Sequence, residues 1–121
     1  MNKAQTGSRG EVEASRYLRA KGYRIHAANY RCRLGEIDII AEDKKYICFV
    51  EVKTRGENSR FSAADAVDFS KRKKLIAAAN LFLSQYDGNK QPRFDIVEIY
   101  MRGATVRKIR LIKNAYNGEG K

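Results

Sequence analysis

The stretch "GEIDIIAEDKKYICFVEVKTR", residues 35–55, constrains this chain's fold more than any other segment. Two runs rich in isoleucine and valine, 36–42 and 46–54, flank the polar tetrapeptide "EDKK". β-Branched side chains suit a pleated, half-buried surface, and a short polar break between two such runs makes an antiparallel hairpin. Three charged residues, Asp38, Glu51 and Lys53, sit inside these runs. With a turn near Asp43–Lys44, two registers are open, one setting Asp38 opposite Phe49 and the other opposite Glu51. Side chains alternate with period two, so both registers put Asp38 on the same sheet face as Glu51 and Lys53. The two carboxylates then lie about 5 Å apart at Cβ if directly opposed, and about 7 Å apart if diagonal.

Two carboxylates that close repel, and both stay ionised only if a cation neutralises them. Carboxylate oxygens with open positions for water and phosphate suit Mg²⁺ or Mn²⁺. Such an ion stabilises charge on a phosphodiester and lowers the pKa of a bound water. Lys53 would orient or help deprotonate that water, or stabilise transition-state charge. Buried without such a task, the three groups would cost several kcal/mol per ion. The competing account is an ion-pair network of the same three residues on a solvated sheet face, which alternation alone equally permits.

The flanking segments supply the rest of an α/β domain. Residues 8–21 have helical spacing, with Ser8 as N-cap and Gly22 as stop. Glu11 shares a face with Ala14, Leu18 and Lys21. It is either the second half of a Ser8–Glu11 capping box or a site residue. Residues 23–30 alternate as a strand, 56–68 read as a loop, and 70–86 read as a helix with the stripe Leu75, Ile76, Ala79, Phe82 and Leu83. Strands follow at 93–100 and 106–112. The order α-β-β-β-α-β-β implies a central mixed sheet flanked by helices. A length of 121 residues fits one domain, with 1–7 and 114–121 expected to be flexible. Cys32 and Cys48 form no C-x-x-C pair, which argues against a disulfide scaffold and structural zinc. No apolar leader stands at the N-terminus and no apolar run approaches the ~18 residues that span a bilayer, so a soluble, cytoplasmic protein is expected.

Net charge is +11, which favours a polyanionic partner, nucleic acid before a membrane surface. The acids concentrate in the middle: residues 36–70 carry eight acidic and five basic side chains, within an otherwise basic chain. Asn29, Arg31, Arg33 and Arg55 flank the hairpin and can grip phosphates. Lys71, Arg72, Lys73 and Lys74 crowd the start of the second helix, against its dipole. An anion met there would offset that cost.

The succession "GSRGEVEASRYLRAKGYRI", "NYRCRLGEIDIIA", "FVEVKTR", "KRKKL" and "RFDIVEIY" resembles the YraN-like family of small bacterial proteins, related to archaeal Holliday junction resolvases. Asp38 with Glu51-x-Lys53 is similar to the PD-(D/E)xK nuclease signature, with Ile37 where that signature has proline. The resemblance covers residues ~7–100 and implies a restriction-endonuclease-like fold and a metal-dependent nuclease-type site. It implies Asp38, Glu51 and Glu11 as metal-binding acids, Lys53 as the catalytic lysine, and Mg²⁺ or Mn²⁺ as cofactor. The expected substrate is DNA, branched or single-stranded, met by a basic surface of Arg9, Asn29, Arg31, Arg33, Arg55, Lys71, Arg72 and Lys74, with a homodimer as one form of assembly. Two rival functions are a nucleic-acid-binding module without turnover and a basic adaptor for an acidic protein. Glu36 is a further ligand or a strand-start charge. His26 reads as a satisfied surface histidine, Cys48 as core, and Asp95 as either near the site or paired with an arginine. Tyr17, Tyr23, Tyr30, Tyr46 and Phe61 can stack bases or fill the core.

Overall fold

A computed structural model describes residues 3–57 and 68–121, residues 3–8 by their backbone. The elements are α1 (Lys3–Ala20), β1 (Arg24–Cys32), β2 (Gly35–Glu42), β3 (Tyr46–Gly56), α2 (Phe69–Gln85), β4 (Gln91–Arg102) and β5 (Thr105–Tyr116). They occur in the expected order, α-β-β-β-α-β-β. The strands form one sheet in sequence order, β1-β2-β3-β4-β5. Only β3 and β4 run parallel, joined by the crossover that contains α2; the other neighbours are antiparallel.

Alternation along the central strands divides the core in two. Ile39, Ala41, Cys48, Val50, Val97 and Ile99 meet Ala14 and Leu18 of α1. Ile40, Ile47, Phe49, Phe94 and Ile96 meet Leu75, Ala78 and Ala79 of α2. The helices therefore cover opposite faces of the sheet, and β3, β4 and the second half of β2 are buried on both. Phe49 is fully buried and has Phe82 and Phe94 at ring-centroid distances of 5.9 and 5.7 Å.

Several boundaries differ from the sequence reading. α1 begins at Lys3, so Ser8 lies inside the helix and a Ser8–Glu11 capping box does not form. Gly22 does end it, at φ +94°, where a side chain would be strained. α2 begins one residue early because Asp68 caps it, its carboxylate accepting the Lys71 N–H at 3.0 Å. That carboxylate also meets part of the dipole cost of the four cations that follow. The expected loop over 56–68, including Phe61, lies for residues 58–67 outside the described residues.

The largest difference is at the C-terminus. Where a frayed tail was expected over 114–121, β5 continues to Tyr116. Asn114 takes φ +54° and the β4–β5 register shifts between Phe94 and Ile96, so a bulge carries the chain back into the core. Asp95 accepts the Asn114 N–H at 2.9 Å and holds this bulge. Tyr116 is 2% exposed, stacked on Phe94 at 5.3 Å and 17°. Alternation broken by a bulge hides a strand from a period-two reading.

The β1–β2 turn sits directly against α2. A Cβ at Gly35 would stand 2.6 Å from the Lys74 carbonyl oxygen, with backbone on both sides of the contact. Gly35→Ala is expected to destabilise the protein by about 1–3 kcal/mol, measured by urea denaturation, because neither backbone can yield without moving the helix.

Candidate functional site

The register settles which of the two hairpin alignments forms. Ile39 pairs with Val50, Ile40 with Phe49, Ala41 with Cys48 and Glu42 with Ile47. Continuing this register sets Asp38 opposite Glu51, but the ladder stops at Ile39. Instead the Asp38 carboxylate Oδ2 accepts the Val52 N–H at 2.8 Å. The strands part at this point, and a side chain spans the gap. On the other side of β2, Asn29 adopts φ +56° between the pairs Ala28–Ile39 and Tyr30–Ile37. Ile37 and Ile40 both pack on the α2 side although three residues apart. Alternation is thus broken around Asp38, where β1 carries the left-handed Asn29 and the β2–β3 ladder has ended.

Glu51 is 3% exposed. Its Oε1 accepts the Tyr116 hydroxyl at 2.6 Å, and its Oε2 lies 3.9 Å from the Lys53 Nζ. Burial raises the Asp38 carboxyl above its ordinary value, and Glu51 and Glu36 push the same way against the Val52 N–H and Lys71. Burial also raises Glu11 on α1, helped by Asp38 and Glu36 and opposed by Arg31. Burial, with Lys71 and Arg55 nearby, pulls the Lys53 ammonium below its usual range despite Glu51 and Asp38. The structure therefore brings Asp38, Glu51 and Lys53 into one electrostatic field, with Glu11 at its edge.

Among the described residues, no three or more His, Cys, Asp or Glu side chains gather into a ready-made metal cage. Mg²⁺ does not require one. It keeps several waters and binds through one or two carboxylates plus substrate phosphates. Asp38 and Glu51 are the two hard oxygen donors of that kind, and the charge strain on Asp38 is what a cation relieves. The donor set fits a hard divalent ion.

The basic residues divide. Lys71 and Lys74 of α2 line an open cavity of about 300 Å³ with Arg31, Cys32, Gly35 and Glu36. Lys71 acts electrostatically on both Asp38 and Lys53, and Arg55 on Lys53. Arg33 is exposed in the β1–β2 turn. Arg31 pairs with Glu36 at 3.4 Å and donates to the Asn29 side chain at 3.3 Å, so Glu36 is an exposed ion-pair partner. Arg72 does not belong with these. It is 7% exposed, lies 4.3 Å over the Tyr116 ring and donates to the Gly120 carbonyl at 3.3 Å. Arg9 is turned away as well, donating to the Ala104 carbonyl in the β4–β5 turn.

Other charged residues have structural partners. Arg93 grips Asp95 through Nε and Nη2 at 2.9 Å and donates to Tyr23 at 3.0 Å, which places Asp95 in an ion pair. Glu42 meets Arg24, His26 and Lys90, each at 3.3 Å, and accepts the Tyr86 hydroxyl at 3.2 Å. Cys48 is core, its thiol pushed up to about 12 by burial and by Asp95. Tyr116 is the residue that sequence reasoning missed. Its only signal was an aromatic two residues beyond an asparagine able to take a left-handed conformation.

No helix among the described residues is long and apolar enough to cross a membrane. The family model described as "Uncharacterised protein family UPF0102" matches residues 10–99. A UPF0102 protein of Caldanaerobacter subterraneus subsp. tengcongensis is 42% identical over 119 residues, covering 96% of this chain and 98% of the relative. One from Caldicellulosiruptor saccharolyticus is 42% identical over 118 residues, covering 96% and 100%. One from Lachnoclostridium phytofermentans is 39% identical over 122 residues, covering 99% of each. With the match spanning both acidic strands, α2 and most of β4, this chain belongs to the UPF0102 family.

Proposed function

We propose that this chain is a Mg²⁺- or Mn²⁺-dependent nuclease-type protein that hydrolyses phosphodiester bonds in DNA. The observation that carries the reading is the Asp38 carboxylate held on the Val52 N–H where the β2–β3 ladder ends, within the electrostatic reach of Glu51 and Lys53, which pair with each other at 3.9 Å. Asp38 and Glu51 would hold the ion. When bound, the ion supplies charge stabilisation at the phosphate and activation of water. The chain's own contributions are distinct. Lys53 is part-buried and flanked by other cations, so it is poised to take or share the proton of the attacking water. Lys71, Lys74 and Arg31 form a basic notch beside the acids, suited to a flanking phosphate. The preference for DNA rests on the resemblance to resolvase-like nucleases and on the charge of +11.

Cleavage is tested with end-labelled duplex, single-stranded and four-way-junction DNA in Mn²⁺. Asp38→Asn and Lys53→Met should each slow cleavage by about 100-fold or more. Cleavage that survives both substitutions removes the assignment. Salt-sensitive DNA binding with no metal dependence and no products would instead favour a binding module.

The basic notch makes a separate prediction. For duplex DNA, the log–log dependence of affinity on salt should flatten by about 0.9 for each of Lys71→Ala and Lys74→Ala. Filter binding across a salt series measures it.

The acids should also carry a stability cost in chelator. Asp38 and Glu11 have raised pKa values in the folded state, so the folded protein binds more protons than the unfolded chain through the carboxylate range. Stability falls as pH rises through those values and is regained as pH drops. In EDTA at neutral pH, Asp38→Asn should therefore raise Tm by a few degrees, with the gap to wild type closing in acid. Adding Mn²⁺ should raise the wild-type Tm and leave that of Asp38→Asn unchanged.

A further inference from the structure

We propose that Tyr116 is a positioning residue for Glu51, so that the end of β5 sets the metal affinity of the site; this rests on the metal-site reading above. The Tyr116 hydroxyl lies 2.6 Å from Glu51 Oε1, the length of a charge-assisted O–H···O⁻ bond. A carboxylate oxygen can only accept, so the phenol hydroxyl is the donor. With Oε1 engaged, Glu51 cannot rotate freely about its last bond. Its Oε2 is left on the side of Lys53, 3.9 Å from Nζ.

The ring that carries this hydroxyl is itself fixed. Tyr116 stacks on Phe94 and lies beneath the Arg72 guanidinium, and Arg72 is tied to the Gly120 carbonyl at 3.3 Å. Asn117 closes the tail by accepting the Glu119 and Lys121 N–H groups at 2.9 and 3.2 Å. A buried arginine, an aromatic stack and a closed tail thus converge on one oxygen of one acid. Hydrogen bonds to a ligating carboxylate hold it in its binding orientation, and their removal weakens metal binding. A purely structural role, in which the hydroxyl only satisfies a buried carboxylate, would alter stability and leave ion affinity alone.

The test is Mn²⁺ titration of the full chain, followed by the electron paramagnetic resonance signal of free Mn²⁺, with thermal melts in EDTA alongside. Wild type, Tyr116→Phe and Asp38→Asn are compared. Tyr116→Phe should bind Mn²⁺ about ten-fold more weakly, a loss that the fall of a few degrees in its EDTA melt, from the unsatisfied Oε1, does not by itself produce. Unchanged affinity in Tyr116→Phe overturns the positioning role and leaves the metal site standing. No Mn²⁺ binding by wild type, or binding that Asp38→Asn leaves intact, overturns the metal site and this inference with it. If Tyr116→Phe does not fold, Arg72→Gln takes its place. That variant keeps the hydroxyl but frees the ring, and should lose a smaller part of the affinity; full affinity would count against the proposal.

Discussion

Where β2 and β3 part, the Asp38 carboxylate accepts the Val52 N–H at 2.8 Å, beyond the last main-chain pair of the ladder. Main-chain donors in a sheet interior must be satisfied, and a side chain can take over only if the strands separate enough to admit it. The paired ladder ends there, with Glu51 still buried and Lys53 part-buried on the next residues of β3. The left-handed Asn29 in β1 and the break in alternation between Ile37 and Ile40 are local costs of the same geometry. A mainly apolar fold would gain nothing by accepting them.

The rest of the molecule shows how this chain treats charge when only stability is at stake. Arg93 and Asp95 face each other with two short bonds, and Glu42 is ringed by Arg24, Lys90, an imidazole and a phenol. Asp43 is held below its usual range by turn N–H groups and Arg93, although burial opposes this. The Asp38 and Glu11 carboxyls are pushed the other way, chiefly by burial, with Glu51 and Glu36 adding to it at Asp38, and Asp38 and Glu36 at Glu11. Among the described residues, Asp38 and Glu11 are the acids whose carboxyls are raised, and such shifts are where a functional reading of the charge begins.

Much of this was legible in the sequence because it followed from period and parity. The α/β order, the two hairpin strands and α2 come from alternation and helical spacing, whereas the simple parity that put Asp38 on the face of Glu51 and Lys53 meets a break in alternation between Ile37 and Ile40. Position along the chain says less about depth. Arg72 looked like one more cation in a basic run, yet helical rotation turns it under the tail while Lys71 and Lys74 stay outside. Arg9 shares α1 with Glu11 but points to the β4–β5 turn. Tyr116 was hidden by the bulge at Asn114, since a left-handed residue within a strand resets the alternation on which strand recognition depends.

The parallel pairing of β3 with β4 also bears on how the chain is made. β3 spans Tyr46–Gly56, and its partner begins only at Gln91. During synthesis the β2–β3 hairpin is complete while the strand destined for its open side is still untranslated. At ribosomal speeds of about 5–20 residues per second, that side stays unpaired for a few seconds. An apolar run such as "YICFV" is an invitation to aggregate in that interval. Glu51 and Lys53 sit directly after it, and charges so placed act as gatekeepers. The same two residues would thus guard the nascent strand before they serve the finished one.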